Sequence, residues 1–273
     1  MKLRTARALD GLLWLRAGAT LVMRYPLQHL AMMSVMLFTV SLLMAVPLIG
    51  PALALAALPA FTAGWVFSSH AAGLGMAPGP ARLFAVFRAL RRPAFATLGA
   101  LYAASALVVM AIAEQLNPGV GDQWLLVVSG KASEEAAAAA LQAVQSGMVM
   151  RVAMLLPVVL FFWHAPVILM RTADSLPKAL FASALASLRN LGAFFVYGVA
   201  WLLADVTLSS VMGVLLGALG LGPYAVLVAL PMALLLSAAF YASLHASVEG
   251  CLVIEPPARP DDPAQPADPS APT

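Results

Sequence analysis

Leu156 to Trp201 reads LPVVLFFWHAPVILMRTADSLPKALFASALASLRNLGAFFVYGVAW. An apolar span ends there near Met170, a short basic segment with helical periodicity follows, and a second apolar span opens at Leu191. Weaker copies of this order occur earlier in the chain. The pattern predicts an all-α, polytopic membrane protein with six transmembrane helices in three hairpins and amphipathic interfacial helices between them.

Composition agrees. Of 273 residues, 62% are hydrophobic and 10% charged, against about 25% charged in soluble domains. A soluble fold has too little polar residue here to cover its surface, and lipid as solvent removes that need. The net charge of +3 points to an anionic lipid surface rather than nucleic acid. Cys251, the single cysteine, excludes an intrachain disulfide and reads as packing. Lys2, Arg4 and Arg7 resemble the basic region of a signal peptide, but the apolar run from Leu27 to Val46 is too long for one. It reads as an uncleaved first span.

Spans are expected at 27–46, 52–72, 93–113, 148–170, 191–216 and 224–246, within a transmembrane domain of 1–254. Pro47 and Gly50-Pro51 mark one tight turn, and Gly217, Gly220 and Gly222-Pro223 another. The proline-rich stretch 255–273 is expected to be a disordered tail. Three segments outside the spans read as interfacial helices. In 5–24, Ala8, Leu12, Leu15 and Ala19 form the apolar stripe, with Trp14 at headgroup depth. In 81–92, Leu83, Phe84 and Phe87 share a side. In 171–190, Leu180, Phe181, Leu185 and Leu188 do so. Every Lys and Arg except Lys131 and Arg151 falls on one side of this topology, so both termini are expected in the cytoplasm of a bacterial inner membrane.

An internal repeat is visible. LFAVFRALRR (83–92) aligns with LFASALASLR (180–189), matching Leu83 with Leu180, Phe84 with Phe181, Ala85 with Ala182 and Arg92 with Arg189. Leu58-Pro59, Leu156-Pro157 and Leu230-Pro231 recur in the returning spans, each followed by a histidine: His70, His164 and His245. These three are a candidate metal or proton site. No cysteine or carboxylate stands at ligand spacing beside them and HExxH is absent, which favours headgroup or backbone contacts. No cofactor is expected.

Asp205 is the most pointed candidate, because a carboxylate inside a span is costly unless it faces protein or water. Arg151 is a possible partner in the outer half, and Glu114 a second member of the set. A charged pair fixing helix packing, Arg151 with Asp205 or Glu114, is favoured over a relay. Arg24, Arg88, Arg91, Arg92, Lys178 and Arg189 are placed at the headgroups, as orientation signals or an anionic-lipid site. Gly213 and Gly217 form a GxxxG that suggests close intramolecular helix contact. No catalytic constellation stands on an extramembrane domain, so an enzyme is not expected. Membrane lipids, a membrane-protein partner or a second copy are the expected partners. A small transporter or channel using Asp205 is the alternative.

Phe162-Trp163-His164-Ala165-Pro166, Pro177-Lys178-Ala179-Leu180-Phe181, and Arg189-Asn190 leading to Phe194-Phe195-Val196-Tyr197-Gly198 carry a resemblance. With Trp14, Arg24-Tyr25-Pro26 and Pro47-Leu48-Ile49-Gly50, they resemble a proteobacterial family of uncharacterised six-span inner-membrane proteins over most of 10–250. More distantly, the chain is similar to the membrane domain attached to some glycerophosphodiester phosphodiesterases. The resemblance implies an inner-membrane location and a shared architecture, and no activity. The segment Met170-Arg171-Thr172-Ala173-Asp174 departs from relatives, which often carry a histidine there.

Overall fold

The computed structural model describes residues 1–129, 132–172, 174–221 and 225–253. Lys131 and the tail expected at 255–273 lie outside the described residues. The helices are α1 (Asp10–Arg24), α2 (Pro26–Met44), α3 (Gly50–Gly73), α4 (Pro80–Ala85), α5 (Pro93–Leu116), α6 (Val120–Ser129), α7 (Glu134–Phe162), α8 (Ala165–Arg171), α9 (Leu176–Arg189), α10 (Leu191–Ala218) and α11 (Ala225–Cys251), with a 3₁₀ turn at Val86–Arg91. Proline at the first or second position opens α2, α3, α4, α5, α8 and α9, where its missing N–H has no intrahelical partner to lose.

Among the described residues, six stretches are long and apolar enough to cross a membrane: Pro26–Met44, Gly50–Gly73, Pro93–Leu116, Glu135–Arg171, Leu191–Ala218 and Leu227–Cys251. The chain is an all-α polytopic membrane protein. The fourth stretch, expected as one helix, is interrupted at Trp163-His164 between α7 and α8. Pro166 offers no N–H to the carbonyl of Phe162, which ends the helix there. Pro59, Pro157 and Pro231 lie inside helices that continue through them.

α3 is the most enclosed span, packed on α2, α4, α5, α8 and α11. Around it lie two buried clusters. One gathers Trp14, Phe95, Leu98, Ile168, Phe194 and Tyr197. The other gathers Met32, Met33, Met36, Phe61, Trp65 and Leu83. Large side chains such as Phe38, Phe195, Leu202 and Val214 face outward, as expected where the solvent is hydrocarbon.

α1 does not present the expected stripe. Its buried residues are Gly11, Trp14, Gly18, Leu21 and Val22, while Leu9 and Leu12 are exposed. The helix lies between α10 and α11 and is the main neighbour of α11. Gly11 sits against Ala193 and Tyr197, and a Cβ on Gly18 would come within 2.5 Å of the Ser243 Cβ. Trp14 is core rather than headgroup, its ring 5.3 Å from Phe194 and 5.9 Å from Tyr197. Hydropathy cannot register a face built from glycine, and close backbone approach is what such a face provides.

α9 buries a face of small residues. Ala179, Ala182, Ser183, Ala186 and Ser187 are buried, whereas Phe181 and Leu188 are exposed. Where lipid is the solvent, small residues face protein and large apolar ones face out. The residues matched in the repeat also occupy different surroundings: Leu83 is fully buried and Leu180 partly, Ala85 exposed and Ala182 buried. Near the termini, Lys2 pairs with Val253 and Leu3 with Leu252 in a short antiparallel bridge, extended by Arg4 N–H donating to the Cys251 carbonyl at 2.8 Å.

Candidate functional site

Arg151 is buried on α7 and donates through Nη2 to Glu114 Oε2 at 2.5 Å and to the Asn117 carbonyl at 3.1 Å. Its Nη1 reaches the Gly147 carbonyl at 3.3 Å. Glu114 also accepts the Gly119 N–H at 2.8 Å, a turn made possible by the left-handed φ of +79° at Gly119. The contacts to Glu114, Asn117 and Gly119 tie α5, the following turn and α7 together. Of the two partners considered for Arg151, the geometry brings in Glu114.

Asp205 stands elsewhere, exposed on α10 among Leu202, Leu203 and Val206. Gly213 and Gly217, expected in close helix contact, meet nothing: a Cβ on either would have no atom within 4 Å. Beyond Tyr197, α10 leans on little of the described chain, so the GxxxG is not satisfied within this copy.

The three histidines do not form one site. His70 Nδ1 lies 2.6 Å from Glu249 Oε1, and His245, one turn before Glu249 on α11, has its Nδ1 2.5 Å from the Ala242 carbonyl oxygen. Arg4 Nη1 donates to the Glu249 carbonyl at 3.3 Å. His164 is fully buried at the α7–α8 break, its backbone N–H donating to Ser183 Oγ at 2.9 Å and its Nδ1 3.4 Å from Ser187 Oγ. Among the described residues, no group of three or more His, Cys, Asp or Glu is arranged to hold a metal.

The cations gather at the end of the bundle where α3, α8 and α11 finish and α5 and α10 begin. Arg88, Arg91, Arg92, Lys178 and Arg189 are exposed. Arg24 lies over the Tyr25 ring at 5.3 Å and Arg171 over Phe67 at 5.2 Å. Arg92 Nη1 donates to the Leu169 carbonyl at 3.4 Å. Lys178 pairs with Asp174 at 2.5 Å, one helical turn away. Its ammonium, donating to the Asp174 carboxylate, holds that acid below its ordinary range.

Between α3, α5, α7, α8 and α11 lies a half-open crevice of about 280 Å³ lined by Pro59, Thr62, Tyr102, Trp163, Pro166 and Tyr241 among others. Tyr102 stands about nine residues, roughly 14 Å, into α5. That is near half the ~30 Å hydrocarbon core. The lining is mostly apolar and aromatic, with Tyr and Thr hydroxyls and no charged group. Trp163 is held by donation from Nε1 to Ser247 Oγ at 3.0 Å. Pro166 and Leu169 are three residues apart on α8, about 4.5 Å along its axis, so the Arg92 guanidinium stands about one turn from the crevice wall.

Sequence reading singled out neither Glu249 nor the crevice. Glu249 is a lone acid near the end of an apolar helix, and only the tertiary approach of α3 gives it His70. The crevice residues come from five helices, and no spacing in one of them announces the others. His29, the remaining histidine, was also passed over, although HLAMMSVM (29–36) sets it on one helical face with three methionines.

The chain is similar to a Burkholderia thailandensis protein named "Probable inner membrane protein", at 31% identity over 265 residues covering 95% of this chain and 97% of that one. No family model matches. No solved structure matches.

Proposed function

We propose, from the premise that this chain belongs to the family of the Burkholderia inner-membrane protein, that it is a non-enzymatic module engaging an anionic lipid. The observation carrying this reading is the apolar, half-open crevice whose wall on α8 leads within about a turn to Arg92. An acyl chain fits such a crevice and a phosphate fits the cations beyond it. Lipid tails are as apolar as the crevice, so the tail gains little by entering. Selectivity then rests on the headgroup, where each cation near an anionic leaflet contributes about 1 kcal/mol. The basic end faces the cytoplasm with both termini, by the positive-inside bias.

The alternative, a small transporter or channel using Asp205, has less support, since Asp205 lines none of the crevices found among the described residues. The test is native mass spectrometry of the protein released from nanodiscs of mixed anionic and zwitterionic lipid. Retention of anionic lipid is expected, reduced by Arg92→Gln with Arg88→Gln. Equal retention of both lipid classes by the wild type would overturn the reading.

A further inference from the structure

One face of α2 carries His29, Met32, Met33 and Met36, at i, i+3, i+4 and i+7, and all four are essentially inaccessible. They pack against α3 around Trp65. The His29 ring stacks on the indole with centroids 6.1 Å apart and planes 22° apart. Trp65 Nε1 lies 3.2 Å from Met36 Sδ, and Ser68 Oγ lies 3.4 Å from Met32 Sδ. His29 Nδ1 is 2.8 Å from the Tyr25 carbonyl oxygen. A carbonyl only accepts, so the proton sits on Nδ1 and Nε2 keeps a lone pair. That Nε2 is buried without a hydrogen-bond partner, as is Ser69 Oγ nearby on α3.

We propose that His29 Nε2 and the thioethers of Met32, Met33 and Met36 bind a soft monovalent cation, Cu(I) or Ag(I). A buried acceptor left unpaired costs about 1–3 kcal/mol, and a metal ion is the partner its neighbours suit. Thioether sulfur and imidazole select soft, d¹⁰ ions over hard ones. Among the described residues no carboxylate is buried, so a divalent ion would keep its full charge in an apolar site, whereas a monovalent one keeps half of that. The Trp65 face adds attraction for a cation. His29 stands about one turn from the start of α2 at Pro26, near the bundle's end. Nδ1 anchored on a backbone carbonyl is also the arrangement that fixes a metal-ligating imidazole.

The experiment uses the full chain in detergent or nanodiscs with Ag(I), which is redox-inert, and with Cu(I) in competition against a colorimetric chelator. One equivalent of Ag(I) by native mass spectrometry is expected, with no Zn(II) taken up under the same conditions. Several of the 14 methionines are exposed and offer weak sites, so the variants decide. Met32→Leu with Met36→Leu conserves core volume and is tolerated by the fold; it should weaken Ag(I) binding at least as much as the 10–100-fold that outer-shell changes cost. His29→Gln should do the same. Absence of stoichiometric Ag(I), or wild-type affinity in both variants, would overturn the proposal.

Discussion

Arg151 on α7 and Glu114 on α5 meet at 2.5 Å, the guanidinium buried and the carboxylate half exposed. The asymmetry sets the order of mutant stabilities. Glu114→Gln leaves a buried cation without its counter-charge, whereas Arg151→Met removes the buried charge and leaves a carboxylate that reaches solvent. Glu114→Gln should therefore lower the melting temperature more than Arg151→Met, and the double variant should be more stable than Glu114→Gln alone. Strict additivity in thermal unfolding would exclude the pairing as the cause.

Asn190 ties the N-terminal segment to the bundle. Its Oδ1 accepts from Ala6 N–H at 2.6 Å, and its Nδ2 donates to the carbonyls of Arg4 at 3.0 Å and Ala186 at 2.7 Å. With the side chain buried, Asn190→Ala should cost about 2 kcal/mol and speed hydrogen exchange at residues 4 to 6. Asn190→Asp should not rescue it, because it places an oxygen against two carbonyls.

The wedge of α1 between α10 and α11 rests on Gly18. Gly18→Leu should cost about 1–3 kcal/mol, the range for overpacking a tight contact, since a Cβ there already crowds Ser243. Gly198 is the control: it lies in α10 with no atom near its would-be Cβ. Gly198→Ala should stabilise by up to about 1 kcal/mol through helix propensity. Thermal unfolding of the two variants measures the difference.

These cases show which features of the chain were legible beforehand. The six spans could be read because length and hydropathy are local properties, and lipid demands both. The buried faces of α1 and α9 could not, because the glycines of one and the alanines and serines of the other have their value in what approaches them. Gly18 and Ala186 look featureless until Ser243 and the α7–α8 break are placed beside them. Arg151 and Glu114 were recognisable as candidates by charge in an apolar setting. Choosing Glu114 over Asp205 required knowing that α7 packs on α5, which no pattern within either helix encodes.

Asp174 and Lys178 give a pH dependence whose sign follows from the pair. The Asp174 carboxyl is held below its ordinary range by donation from the Lys178 ammonium. A depressed folded-state value contributes stability above the unfolded carboxylate's range, lost as pH falls through the folded value. The wild type should therefore lose stability relative to Asp174→Asn as pH falls below about 4, with the difference constant near neutrality. The effect should be small, as for other surface pairs. Parallel melting curves across that window for both proteins would show the pair contributes nothing.

Asp205 separates the two functional readings. It is exposed on α10 among apolar side chains and lines none of the crevices found among the described residues. A carboxylate at the centre of a membrane helix costs about 2.5–3.5 kcal/mol, so a residue that only bears this cost is better replaced. Asp205→Leu should raise stability and leave retention of anionic lipid unchanged. A transporter predicts the opposite, because its ion or proton step would need the carboxylate. Reconstituted in liposomes, the wild type should then carry a flux that Asp205→Leu abolishes and Asp205→Glu restores. Detection of that pattern would displace the lipid-module reading, because an apolar crevice with cations about a turn beyond its wall offers no role to a carboxylate on α10 that does not line it.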